Sequence, residues 1–190
     1  MDKIPKYSGW IETICGPMFS GKTEELIRRI TRVQIANLSV AIIKPRLDDR
    51  YSEDYIVSHN QRKIKCIIVD NPQEIIEISK DVDVIGIDEV QFFDDSIVLA
   101  CISLANNGKR IIASGLDKDY RAQPFGPIPL LLAESEYITK LSSICVKCGD
   151  LGSFSKRISA EKSQVVVGQT DKYEARCRKC YYMEDEWFTI

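Results

Sequence analysis

The sequence predicts an α/β fold, a parallel sheet with helices on both faces, joined to a small β-rich lobe at the C-terminal end. Short apolar runs at 10–15, 40–43, 66–69, 82–87 and 110–113 read as strands buried on both faces. Between them lie segments with helical spacing, at Leu26, Ile27, Ile30 and Val33, at 75–78 and at 97–105. Strands alternating with helices imply parallel pairing through crossover connections. Composition then changes after Leu141. The remaining chain carries glycines, close cysteine pairs and short β-like runs such as Val165-Val166-Val167, without a long helical period. The expected division is therefore 1–141 for the α/β domain and 142–190 for the lobe.

Each element follows from its local chemistry. The run 10–15 ends at Gly16 and Pro17, which break the strand pattern before the first helix begins. The second strand leads into a polar stretch, 46–63, whose aspartates, serines and tyrosines bury little and which is expected to be a mobile surface loop. The strand at 82–87 runs directly into two acids, Asp88 and Glu89.

The 190 residues, 44% of them hydrophobic, can bury one ordinary core and carry a small appendage. A net charge of −2, with lysines and arginines spread along the chain, supplies no basic field for a phosphate backbone, so stable nucleic-acid binding is not expected. No apolar run approaches the roughly 20 residues that cross a bilayer, and residues 1–6 lack the apolar centre of a signal peptide. A cytoplasmic protein without a membrane partner is expected. Of seven cysteines, Cys15, Cys66 and Cys101 stand singly in apolar surroundings and read as core residues.

Gly16-Pro17-Met18-Phe19-Ser20-Gly21-Lys22-Thr23 fits G-x-x-x-x-G-K-T between a predicted strand and a predicted helix, which is the setting of an ATP-binding P-loop. The glycines let backbone N–H groups turn toward phosphate oxygens, and the helix start adds its positive dipole end. Lys22 is expected to reach the β and γ phosphates and Thr23 to place its hydroxyl on Mg²⁺. Val82-Asp83-Val84-Ile85-Gly86-Ile87-Asp88-Glu89 has the form of a Walker B element. Asp88 is suited to orient Mg²⁺ through coordinated water, and Glu89 to accept a proton from an attacking hydroxyl. That base serves water in an ATPase and an alcohol in a kinase equally well.

Cys145-Val146-Lys147-Cys148 and Cys177-Arg178-Lys179-Cys180 offer four thiolates in two C-x-x-C pairs, the pattern of a tetrahedral structural zinc site. With all four positions filled by sulfur, the metal has no open site for catalysis.

The P-loop with Met-Phe-Ser inside it, the run Asp88-Glu89-Val90-Gln91-Phe92-Phe93, the segment from Gly115-Leu116-Asp117 to Pro124-Phe125-Gly126, and the two C-x-x-C pairs occur in one order. Together they resemble the zinc-containing thymidine kinases, the cytosolic type II class, over nearly the whole chain. The resemblance implies a P-loop fold with a zinc-bearing lid, ATP with Mg²⁺ as donor, and thymidine or deoxyuridine as acceptor, phosphorylated at the 5′-hydroxyl in pyrimidine deoxynucleotide salvage for DNA synthesis. It further implies a homotetramer and feedback inhibition by thymidine triphosphate. Glu89 matches the family's general base, and Arg50 an arginine near the transferred phosphate. Met18, Phe92, Leu116, Phe125 and Tyr173 match positions lining the thymine pocket, with Val165, Val166, Val167 and Gly168 offering backbone groups to the base edge. Ser155 stands where many relatives have threonine, and Ala122-Gln123 replaces a more charged pair. The competing readings are a P-loop ATPase or switch and a zinc-ribbon nucleic-acid binder; the first lacks a second large module, and the second is opposed by the charge balance.

Overall fold

A computed structural model gives the architecture, and the structure describes residues 9–46, 55–57, 63–159 and 172–183. In chain order the elements are β1 (Trp10–Cys15), α1 (Lys22–Ile35), β2 (Val40–Pro45), β3 (Tyr55–Val57), β4 (Lys63–Lys65), β5 (Ile67–Val69), α2 (Pro72–Ile78), β6 (Val84–Ile87), α3 (Ser96–Asn106), β7 (Arg110–Gly115), α4 (Ile128–Glu134) and β8 (Tyr137–Lys140). The short strands β9 (Ser143–Ile144), β10 (Leu151–Gly152), β11 (Phe154–Arg157) and β12 (Tyr173–Arg176) follow, then α5 (Arg178–Tyr182).

Six strands form one sheet in the order β5-β2-β6-β7-β1-β8, every pair parallel. Alternation along each strand divides the core in two. Ile14, Ile42, Val84 and Ile112 face Leu26, Ile27, Ile30 and Val33 of α1, with Ile56 of the β3–β4 ribbon on the same side. Ile11, Ile43, Ile85, Ile87 and Ile111 face the other way, against Ile75 of α2, Ile97, Cys101 and Leu104 of α3, and Ile128 and Leu131 of α4. The helices therefore cover both faces, as the buried apolar strands require. Gly86 lets α1 approach closely, since a Cβ there would lie 2.9 Å from Ile30 Cδ1.

One charged group is buried in the sheet. Glu12 accepts hydrogen bonds from Trp10 Nε1 at 2.7 Å, Arg29 Nη1 at 2.6 Å and Arg110 Nε at 2.6 Å. Arg29 also donates to Thr139 Oγ1 at 2.7 Å, so the cluster ties α1 to β1, β7 and β8.

Cys15, Cys66 and Cys101 are buried core residues. Four elements go beyond the expected pattern. Helix α4 and strand β8 fill 128–134 and 137–140, β3 lies inside the stretch expected to be loop, and β4, which begins at the end of that stretch, pairs antiparallel with it. The ribbon forms because Ile56 and Ile64 find apolar cover beside α1. The rest of that stretch, 47–54 and 58–62, lies outside the described residues. Among the described residues no helix is long and apolar enough to cross a membrane.

Candidate functional site

Strand register brings three loops to one edge of the sheet. Cys15 pairs with Gly115 and Ile87 with Ala113, so the segments after β1, β6 and β7 leave side by side at the C-terminal strand ends, where open α/β sheets hold their ligands. Gly16 to Thr23 follow β1, Asp88 to Gln91 follow β6, and Leu116 and Asp117 follow β7.

The loop after β1 turns through positive φ at Gly16 (146°), Phe19 (63°) and Gly21 (82°). At Gly16 a side chain is excluded, because a Cβ would sit 2.4 Å from Leu141 O. Gly21 occupies the N-cap of α1 without a side-chain cap, so the first-turn N–H groups face the loop. Within it, Ser20 Oγ and Lys22 Nζ donate to Pro17 O at 2.8 Å and 2.7 Å. Crowding by protein pushes the Lys22 ammonium below its ordinary value, while Glu89, Asp88 and Asp117 pull it back. This is a cation surrounded by acids and ready for an anionic ligand.

Asp88 is buried at the end of β6, and its Oδ2 accepts from Thr23 Oγ1 at 3.1 Å. Burial first and the neighbouring Glu89 second push its carboxyl up to about 6, against the pull of Ser114 and Thr23. Glu89 sits half-buried in the left-handed region, φ 54° and ψ 36°, which turns its side chain away from the strand direction. Its Oε2 accepts from Gln91 Nε2 at 2.5 Å.

Of the residues expected to line a nucleoside pocket, Phe92 and Phe125 meet edge to face with centroids 5.6 Å apart. Leu116 is held by its backbone N–H, which donates to Gln91 Oε1 at 3.0 Å. Met18 meets Ser155 directly, its N–H donating to the Ser155 hydroxyl at 2.9 Å. Ser155 lies on β11, which pairs with β12 and sets Arg157 opposite Tyr173. The Arg157 guanidinium donates to Tyr173 Oη at 2.7 Å and stacks 3.6 Å from the Tyr120 ring centroid. Tyr181 Oη donates to Tyr120 O at 2.6 Å, closing the lobe onto the segment after β7. Arg50, Val165, Val166, Val167 and Gly168 lie outside the described residues. A surface groove of about 590 Å³, lined by Trp10, Glu12, Arg29 and residues 136–139, includes none of the residues above.

The ligand atoms of Cys145, Cys148, Cys177 and Cys180 all lie within 4.8 Å of one another. Four sulfurs bonded at about 2.3 Å to a tetrahedral ion stand roughly 3.8 Å apart, so the set fits a metal of that kind. Burial would raise the Cys145 thiol, but backbone N–H groups of Cys177, Lys147 and Cys148 outweigh it and lower its value to about 6. The neighbouring thiols push Cys148 up and Cys180 up to about 12, a mutual opposition to ionisation that one shared thiophilic cation would relieve.

A family model described as thymidine kinase matches residues 9–181. The chain belongs to the thymidine kinase family. The thymidine kinase of Rhodothermus sp. (strain ITI 518) is 50% identical over 173 residues, covering 91% of this chain and 81% of the relative. Thymidine kinases of Bacteroides thetaiotaomicron and Bacteroides fragilis (strain YCH46) are 51% and 50% identical, each over 91% of this chain and 87% of theirs. In this thymidine kinase family member, two residues to which the sequence assigned no role make contacts at the site. Gln91 bridges Glu89 and Leu116, and Arg157 holds Tyr173. The available signals were the aromatic neighbours of Gln91 and the strand placement of Arg157, and neither specifies a partner.

Proposed function

We propose that the chain transfers the γ-phosphoryl group of ATP to the 5′-hydroxyl of thymidine or deoxyuridine, giving the nucleoside monophosphate and ADP. The observation that carries this reading is the convergence of Lys22, the Thr23–Asp88 pair and Glu89 with Met18, Leu116 and the Phe92–Phe125 pair at one sheet edge.

In this reading Gly16, Pro17, Met18, Phe19, Ser20 and Gly21 wrap the phosphates with backbone N–H groups, and Lys22 exchanges Pro17 O for β and γ oxygens. Glu89 takes the proton of the 5′-hydroxyl as that oxygen bonds to the γ-phosphorus and the bond to the β-γ bridging oxygen breaks. Thr23 and Asp88 are hard oxygen donors suited to Mg²⁺, which when bound offsets charge on the transferring group. Arg50 serves the same charge from the polar stretch, on the strength of the family resemblance. The thymine ring lies among Met18, Phe92, Leu116, Phe125 and Tyr173, near Ser155, with Val165 to Gly168 facing its edge. Aromatic faces and apolar contacts suit a methylated pyrimidine.

Zinc on the four cysteines is structural, and it fastens the 142–190 lobe as a lid beside the 1–141 domain. The family resemblance also supports a homotetramer and inhibition by thymidine triphosphate. ATP supply and a set of reduced, metal-binding cysteines suit the cytoplasm. Incubation with ATP, Mg²⁺ and thymidine tests the proposal. Thymidine monophosphate with equimolar ADP is expected, whereas ATP hydrolysis indifferent to thymidine would overturn it.

A further inference from the structure

We propose that Gln91 is a positioning residue that aims the Glu89 carboxylate at the nucleoside hydroxyl. The inference rests on Glu89 being the base. Gln91 lies in the short turn Val90–Phe92, only 2% exposed, and both ends of its side-chain amide are engaged. Oε1 accepts from the Leu116 N–H at 3.0 Å and Nε2 donates to Glu89 Oε2 at 2.5 Å. Of the two ends of the amide only the oxygen can accept from the Leu116 N–H, so that bond fixes the amide's orientation and directs its NH₂ group at Glu89.

The surrounding backbone is shaped to hold this side chain. A Cβ on Gly115 would lie 2.5 Å from Gln91 Oε1, and one on Gly126, whose φ is +53°, would lie 2.3 Å from Gln91 O. A glycine ending β7 thus leaves room for the glutamine side chain, and one in the segment before α4 leaves room for its backbone. Glu89 needs such a hold, because its left-handed backbone is disfavoured for a residue with a side chain. Among the described residues, Lys22 of α1 and the adjacent Asp88 interact electrostatically with it. Without the Gln91 amide, the Glu89 carboxylate turns toward the Lys22 ammonium, which spends the base and competes with phosphate for the cation. A neutral amide prevents this and leaves the second carboxylate oxygen for substrate. Through Leu116 the same side chain ties the base to the nucleoside side of the site.

Two variants separate this role from simple packing. Gln91→Met keeps the shape and removes both hydrogen bonds; Gln91→Glu keeps an acceptor for the Leu116 N–H and replaces the donor to Glu89 with a carboxylate whose charge opposes the base. In each, kcat is expected to fall roughly 10- to 100-fold while KM for thymidine and for ATP stays within about 3-fold. In a Glu89→Gln background, Gln91→Met is expected to cost no more than about 2-fold further, because the group it aims is gone. Near-normal turnover by Glu89→Gln alone overturns the base and the positioning role together. An impaired Glu89→Gln combined with a fully multiplicative Gln91 loss, or with unchanged kcat in the folded Gln91 variants, overturns the positioning role alone.

Discussion

The Met18 N–H donates to the Ser155 hydroxyl over 2.9 Å, joining the phosphate-binding loop to β11 across a separation of 137 residues. The bond links the ATP side of the site to the lobe whose strands carry Ser155 and Tyr173. Ser155→Ala leaves that N–H unpaired, a cost of about 1 kcal/mol or a roughly 5-fold change in an equilibrium. Thymidine affinity is expected to fall by about that factor with ATP affinity little changed, as isothermal titration of each ligand will check. Ser155→Thr keeps the hydroxyl and is expected to keep the affinity.

The cysteine cluster makes a second demand. Cys145 and Cys148 precede β11 and Cys177 follows β12, so one metal held by them would fasten both ends of the segment bearing Ser155 and Tyr173. Releasing one end spreads those residues over many conformations and lowers the population able to bind. Cys177→Ser is expected to lose zinc and to weaken thymidine binding more than ATP binding. Metal analysis of the unmutated protein should find about one zinc per chain.

Much of this arrangement was legible from apolar runs. Four of the runs anticipated the inner strands β1, β2, β6 and β7, because strands buried on both faces have no polar side to interrupt them, and the fifth anticipated β5, an edge strand that is apolar although Ile67 is 44% exposed. Strand β8 escaped notice because it lies at the sheet edge, where Tyr137 is 60% and Ile138 53% exposed and no burial pattern is imposed. Helix α4 was hidden by Pro127 and Pro129, which are tolerated only because they stand at its N-cap and first turn. The P-loop and the cysteine pairs announce themselves through fixed spacing. Gln91 does not, since its role depends on Leu116, Gly115 and Gly126, none of them near it in the chain.

Glu12 is a buried charge in the middle of a strand, and its partners decide its sign. Burial would raise its carboxyl, but Arg110, Trp10 and Arg29 outweigh it and hold the group below the ordinary 4.5. A lowered native value contributes stability above pH 4.5, and the contribution is lost as pH falls through that lowered value. Glu12→Gln leaves Arg110 without its acid and Arg29 with Glu25 as its remaining acid, and is expected to cost about 1–3 kcal/mol at neutral pH. Denaturant melts across pH will check it: the gap between variant and parent should narrow in acid, and a constant gap would contradict the ion-pair account.

Single-turnover transfer from γ-labelled ATP to thymidine, comparing the parent with Glu89→Gln, tests the central claim most directly. The substitution keeps the side chain's shape and removes its basicity. A fall in transfer rate of roughly 10²-fold or more is predicted, with ATP and thymidine binding largely retained. A near-normal rate would contradict the assignment of Glu89 as the group that takes the hydroxyl proton.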